Sequence, residues 1–181
     1  MTWTIDSSHT RVGFSARHMM ITNVNGEFEN VEGTVEFNEE NPTATMVDVK
    51  IEAASINTRD PQRDGHLKSP DFLDAEKFPY LTFKSTRVEQ IDESTAKMYG
   101  DLTIRGVTRP VVMNVEYHGL AKSPWGSINA GFSATTRISR KEWGLEWNVA
   151  LETGGFLVSD AVNITIELEI VKQPEVEAQA A

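Results

Sequence analysis

Apolar and polar residues alternate along most of this chain with a period of two. Val12, Phe14, Ala16 and His18 share one register, as do Val31, Gly33, Val35 and Phe37, and Val47, Val49 and Ile51. The pattern returns at Leu81 and Phe83, at Met98, Gly100, Leu102 and Ile104, and at Val111, Met113, Val115 and Tyr117. It ends with Ile128, Ala130, Phe132 and Ala134, then Val162, Ile164, Ile166, Leu168 and Ile170. Strands with one buried and one wet face have this pattern. Eight strands are therefore expected, with shorter ones around Trp3–Ile5 and 145–149.

Turn residues punctuate them. Asn25-Gly26 reads as a hairpin, and Asn41-Pro42, Arg105-Gly106, Pro124-Trp125-Gly126 and Gly154-Gly155 as further turns. Strands this close together, without long helices between them, predict an antiparallel barrel or sandwich. One segment breaks the rhythm. Asp60-Pro61 and Ser69-Pro70 each set a capping residue before a proline, which predicts two short helices inserted over about 60–77. One domain over 1–172 is expected, followed by a flexible acidic tail over 173–181.

A small barrel is either packed solid or a container. Ala16, Gly33, Gly100, Ala130 and Ala134 all fall in the inward register and would leave volume unfilled. Larger neighbours could equally close that space, so periodicity leaves both alternatives open.

Charge narrows the function. The 181 residues carry 17 Lys and Arg against 27 Asp and Glu, a net of −10. That balance argues against nucleic acid as a partner. The chain has no cysteine, which excludes disulfides and thiolate chemistry. Charges interrupt every apolar run near the N-terminus, and no stretch approaches the length of a membrane span. A cytoplasmic location is the expectation.

The opening WTIDSSHTRVGFSARHM resembles that of YceI-family proteins. The likeness continues through NVNGEFENVEG, SINTRDPQRDGHLKSPDFLDAEKFPYLTFKST and GDLTIRGVTRPV to GFSATTRISRKEWGL and VSDAVNITIELE. It implies an all-β, eight-stranded antiparallel lipocalin-like β-barrel whose elongated pore binds a polyisoprenoid. Many family members carry a secretion signal, and none is expected here. On this reading the tail would contact Phe14, Ala16, His18, Val35, Phe83, Met98, Gly100, Leu102, Met113, Ala130, Phe132 and Ala134.

If the strands run up and down, the ends near His18, Ile56, Ile104 and Ile138 share one rim with the insertion and with loop 139–160. Ten basic residues gather there: Arg17, Arg59, Arg63, Lys68, Lys77, Arg105, Arg109, Arg137, Arg140 and Lys141. The opposite rim receives the acidic NEENPT and EQIDES. A cation-rich mouth is expected, with Arg63, His66 and Arg140 meeting the head group, because an arginine fork suits a phosphate.

Other chemistry is poorly supported. His9, His18, His66 and His118 form no HxH or HExxH spacing, so no metal site is expected. Asp60 and Asp64 read as capping and ion-pairing groups, and no GxSxG elbow is present. The expected function is non-enzymatic binding, carriage or storage of a polyisoprenoid such as a polyprenyl diphosphate or polyprenol. No cofactor beyond the bound lipid is expected, and a homodimer is possible. The alternatives are an isoprenoid-quinone-binding redox accessory protein and an enzyme acting on a prenyl or fatty acyl chain, for which His18 is the visible acid or base.

Overall fold

All eight alternating segments form strands, and they close on one another. The computed structural model describes residues 2–172, so the tail expected over 173–181 lies outside the described residues. In chain order the strands are β1 (Thr2–Ile5), β2 (Arg11–His18), β3 (Thr22–Phe28), β4 (Val31–Glu36), β5 (Met46–Glu52), β6 (Ile56–Asn57), β7 (Tyr80–Gln90), β8 (Thr95–Ile104), β9 (Val107–Lys122), β10 (Ile128–Ser139) and β11 (Val158–Lys172). Their order in the sheet is β1-β4-β5-β7-β8-β9-β10-β11-β2-β3-β6, and β1 also pairs with β11.

Three barrel strands are each broken in two. β1 and β2 both pair with β11, on either side of a turn at Ser7–His9. β2 lies on β3 through Val12 and Phe28, and β1 on β4 through Trp3 and Val35. β5 and β6 likewise lie on β4 and β3. Ser55 ties this corner together, donating to the Glu52 carbonyl at 2.6 Å and accepting from the Asn30 amide at 3.1 Å. Counted with the broken strands joined, the fold is an eight-stranded antiparallel closed barrel with one short helix.

One turn and one strand expectation need correction. Asn25-Gly26 lies inside β3, and the hairpin is made instead by Met19 and Met20, both at positive φ (50° and 64°), with the Ile21 amide donating to the His18 carbonyl at 3.1 Å. Gly26 makes room for an aromatic ring: a Cβ there would lie 2.4 Å from Phe14. The segment around 145–149 is not a strand; only Ala150 and Phe156 form an isolated bridge.

The insertion holds one helix, α1 (Pro61–Lys68), capped by Asp60, whose carboxylate accepts from the Gln62 and Arg63 amides. The second expected helix does not form. Ser69 instead closes α1, its hydroxyl donating to the His66 carbonyl at 2.6 Å. Asp74 then takes φ 48°, left-handed backbone that ends any helix begun at Pro70.

Candidate functional site

Inward side chains of the barrel differ in burial from one wall to another. On β5, β7 and β8 and the start of β9 they pack tightly: Val47, Ile51, Leu81, Phe83, Leu102, Ile104, Val111 and Met113 are buried. On β2, β10 and β11 the residues near the strand ends, Val12, Ala130, Ile138 and Ile170, are buried too, but the inward residues between them, Phe14, Ala16, Phe132, Ala134, Val162, Ile164, Ile166 and Leu168, are half-buried, as are Val49 and Met98. They face a cavity of about 580 Å³ that runs along the barrel. Its size is that of a small-molecule site, and its walls are overwhelmingly apolar.

Nine of the residues expected to touch a tail line this cavity: Phe14, Ala16, Val35, Phe83, Met98, Leu102, Met113, Phe132 and Ala134. His18, Gly100 and Ala130 do not. The Phe83 ring covers Gly100, where a Cβ would lie 2.4 Å from it. Ala130 is 1% exposed, packed into the wall. Gly33 is small for another reason, since a Cβ there would come 2.3 Å from the Asp48 carbonyl oxygen of the neighbouring strand. Of the five small inward residues, only Ala16 and Ala134 open onto the cavity.

The two ends of the cavity are unlike. At the insertion end its lining residues Phe72, Leu73, Ile104, Ile138, Arg140 and Leu145 are all buried. Phe72 and Leu73 follow α1 and fold over the barrel. At the other end the lining residues Glu39, Glu40, Gln90, Asp92, Glu93 and Ser94 are all exposed. The cavity therefore reaches the surface at the acidic rim, not at the cation-rich one.

The residues expected to meet a head group do other work. Arg140 is 3% exposed, and its guanidinium donates to the carbonyls of Ser159, Leu145, Trp147 and Val158. Burial pushes its pKa below the ordinary value, with Asp160 opposing the shift. Arg63 lies outside the lumen, on a polar groove beside Asn25 and Arg59, and donates to the hydroxyl and carbonyl of Thr58 at 2.8 Å each. His66 sits 2.9 Å from Asp71, its ring edge-on to Phe72 and Trp147. It latches the insertion to the 145–149 segment and does not line the cavity.

Sequence reasoning placed the acidic residues at the open rim but did not single out Tyr117 as a site residue. Tyr117 lines the cavity just inside the mouth, beneath the 91–94 turn, where its amide donates to the Ser94 carbonyl at 2.7 Å. Its ring belongs to an aromatic collar with Phe37 and Phe132, at centroid separations of 5.6 and 5.2 Å. Its register with Val111, Met113 and Val115 is the signal that could have found it.

A separate cluster lies away from the cavity. Asp6, His9 and Glu169 place ligand-type atoms within 4.8 Å of one another. Spacing along the chain does not reveal the group, because Glu169 arrives from β11. Hydrogen bonds from Ser8 and His9 hold the Asp6 carboxyl below its usual range, and the Asp6 bond followed by the charges of Asp6 and Glu169 raises His9.

The YceI-like domain model matches residues 3–170. The chain belongs to the YceI-like family. Among its relatives, a UPF0312 protein of Pseudomonas savastanoi pv. phaseolicola is 36% identical over 141 residues, 78% of this chain and 73% of that protein. The Campylobacter jejuni YceI crystal structure superposes with a TM-score of 0.76 at 34% identity, covering 87% of this chain and 90% of the other. A polyisoprenoid-binding domain from Saccharophagus degradans shares the fold at 13% identity, with a TM-score of 0.72 over 94% of this chain and 98% of that domain. Among the described residues, no helix is long and apolar enough to cross a membrane.

Proposed function

We propose that this YceI-like protein binds, carries or stores a long-chain isoprenoid lipid in its barrel lumen without altering it chemically. The observation that carries this reading is the apolar cavity of about 580 Å³ along the barrel, walled by half-buried inward residues. Burying each methylene of a tail contributes about 0.8 kcal/mol, so tail burial alone supports tight binding after the cost of ordering the chain. The polyisoprenoid-binding domain that shares the fold supports the choice of ligand. His18, the acid or base that an enzymatic reading would need, does not line the cavity, which favours carriage over catalysis.

Native mass spectrometry of protein purified without detergent tests the reading. The expected result is a non-covalent adduct whose mass fits a polyprenyl or isoprenoid-quinone lipid. Protein that carries no adduct and takes up no isoprenoid after delipidation would overturn it. The quinone reading draws support from the open end, where, among the described residues, carboxylates and no cation line the cavity.

A further inference from the structure

We infer that the ligand's polar head is uncharged, lodges at the carboxylate-lined mouth, and accepts a hydrogen bond from the Tyr117 hydroxyl. The inference rests on the lipid-binding reading above and adds the position and chemical class of the head.

The first observation is the Tyr117 hydroxyl. It is the one buried side-chain polar atom among the described residues with no hydrogen-bond partner. Proteins rarely leave such a group unpaired, because its lost hydration goes uncompensated. The neighbouring Trp3, its ring edge-on to Phe37, is satisfied, since its Nε1 donates to the Phe37 carbonyl at 3.1 Å. A phenylalanine at 117 would fill the collar equally well. A tyrosine there makes sense as a hydrogen-bond donor to whatever occupies the cavity.

The second observation is charge. Glu39, Glu40, Asp92 and Glu93 line the open end, and the one cation among the cavity-lining residues, Arg140, is at the far end with its guanidinium donating to four carbonyls. A phosphate at the mouth would meet like charges with no counter-charge among the described cavity-lining residues, and at the closed end it would compete with the carbonyls that Arg140 already holds. Burial, then the charge of Glu39, raises the Tyr117 pKa, so the hydroxyl keeps its proton and donates. An ammonium head would be drawn to the carboxylates but offers no acceptor to that donor. An alcohol, ketone, quinone carbonyl or amide offers one and carries no charge.

The test compares three probes of one tail length on delipidated protein: geranylgeraniol, geranylgeranyl diphosphate and the headless hydrocarbon phytane. The alcohol is expected to bind wild type about tenfold or more tighter than the diphosphate. Tyr117→Phe should weaken the alcohol about fivefold to tenfold, the loss of one hydrogen bond, and leave phytane unchanged. The melting temperature of this variant should hold or rise, because an unpaired buried hydroxyl is removed. Converting the four mouth acids together (Glu39→Gln, Glu40→Gln, Asp92→Asn, Glu93→Gln) should narrow the gap between alcohol and diphosphate. Tighter binding of the diphosphate by wild type, or equal effects of Tyr117→Phe on alcohol and phytane, overturns the inference while leaving lipid binding intact. Failure of phytane and geranylgeraniol alike to bind wild type overturns the lipid-binding reading, and the head assignment with it.

Discussion

The two ends of the barrel are built by opposite uses of charge. At the closed end, irregular backbone is folded over the lumen, and its carbonyls need donors. Arginines supply them: Arg105 to Phe72, Arg109 to Glu142, Arg63 to Thr58, and Arg140 to Ser159, Leu145, Trp147 and Val158. At the open end the turns are short and exposed, and acidic or amide side chains close them locally. Asp92 accepts from the Ser94 and Thr95 amides, which lowers its pKa, and Asn38 accepts from the Glu40 amide. Cations gathered at one rim of a binding barrel invite the reading of an anion site. Here they build a lid, and the cavity opens at the other rim.

The largest expected effect breaks the closed end. Arg140→Ala removes this donor from the Ser159, Leu145 and Trp147 carbonyls, Leu145 being a buried residue, while the Val158 carbonyl keeps Asn148. Hydrogen bonds to a charged group contribute about 1.5–3 kcal/mol each, and buried unpaired groups cost more than exposed ones. A loss of about 3 kcal/mol or more is expected in urea unfolding. A folded variant of wild-type stability that has lost affinity only for anionic lipids would restore Arg140 as a head-group residue. Trp143, 1% exposed and donating to the Leu102 carbonyl at 2.9 Å, anchors the same turn.

Most of the barrel was legible in the sequence because a period of two survives in every long strand. β3 was the exception. Its TNVNGEF carries Asn25-Gly26, a pair that by local chemistry alone means a hairpin, and only the ring of Phe14 across the ladder explains the glycine. Gly100 misled in the same way: it reads as empty space, whereas Phe83 on the next strand fills it. Up-and-down order was enough to sort the loops between two rims. Which rim is open was not legible, because it depends on how Phe72 and Leu73 fold back and on where each guanidinium finds a carbonyl. Those contacts join residues far apart in the chain, as in Arg105 with Phe72.

Two lumen variants sharpen the distinction between wall and cavity. Ala134 lines the cavity, so Ala134→Trp should fold and lose most of its lipid loading by native mass spectrometry. Gly100→Leu should do the reverse. Its Cβ would lie 2.4 Å from the Phe83 ring and 2.7 Å from the Lys84 carbonyl, so overpacking should cost about 1–3 kcal/mol in stability. Loading of the fraction that folds should change less than for Ala134→Trp. If both variants lose loading equally at unchanged stability, Gly100 faces the cavity after all.

A gain in stability is expected at the turn on the closed rim. Met19 and Met20 occupy two consecutive positive-φ positions, where asparagine and glycine are favoured. Left-handed backbone costs an ordinary L-residue roughly 1–2 kcal/mol. Met19→Asn with Met20→Gly should therefore stabilise the fold by about 1 kcal/mol, after the extra unfolded-state freedom of glycine is subtracted. Thermal unfolding reads the effect, and a fall in melting temperature would mean that Met20, 62% exposed but set against Gly155, packs usefully on the 149–157 segment.

The smallest expected effect concerns acid. Asp160 faces the turn that carries Arg140, accepting from the Ser139 hydroxyl at 2.6 Å and from the Lys141 amide at 3.3 Å. The Ser139 bond chiefly, with the Lys141 amide and the charges of Lys141 and Arg140, holds its carboxyl below the usual range against the opposing effect of burial. A carboxylate whose pKa is lower folded than unfolded stabilises the fold at pH values above its unfolded value, about 3.9. That contribution falls away as pH drops through the depressed folded value. Asp160→Asn should be about 1 kcal/mol or less below wild type at neutral pH, since the site is only partly buried. The difference should shrink toward zero as the pH is lowered, because wild type loses in acid what the variant never had. Urea midpoints measured from pH 7 downward give the curve. A gap that stays constant with pH would assign the loss to altered hydrogen bonding at Ser139 and remove Asp160 from the charge balance of the closed end.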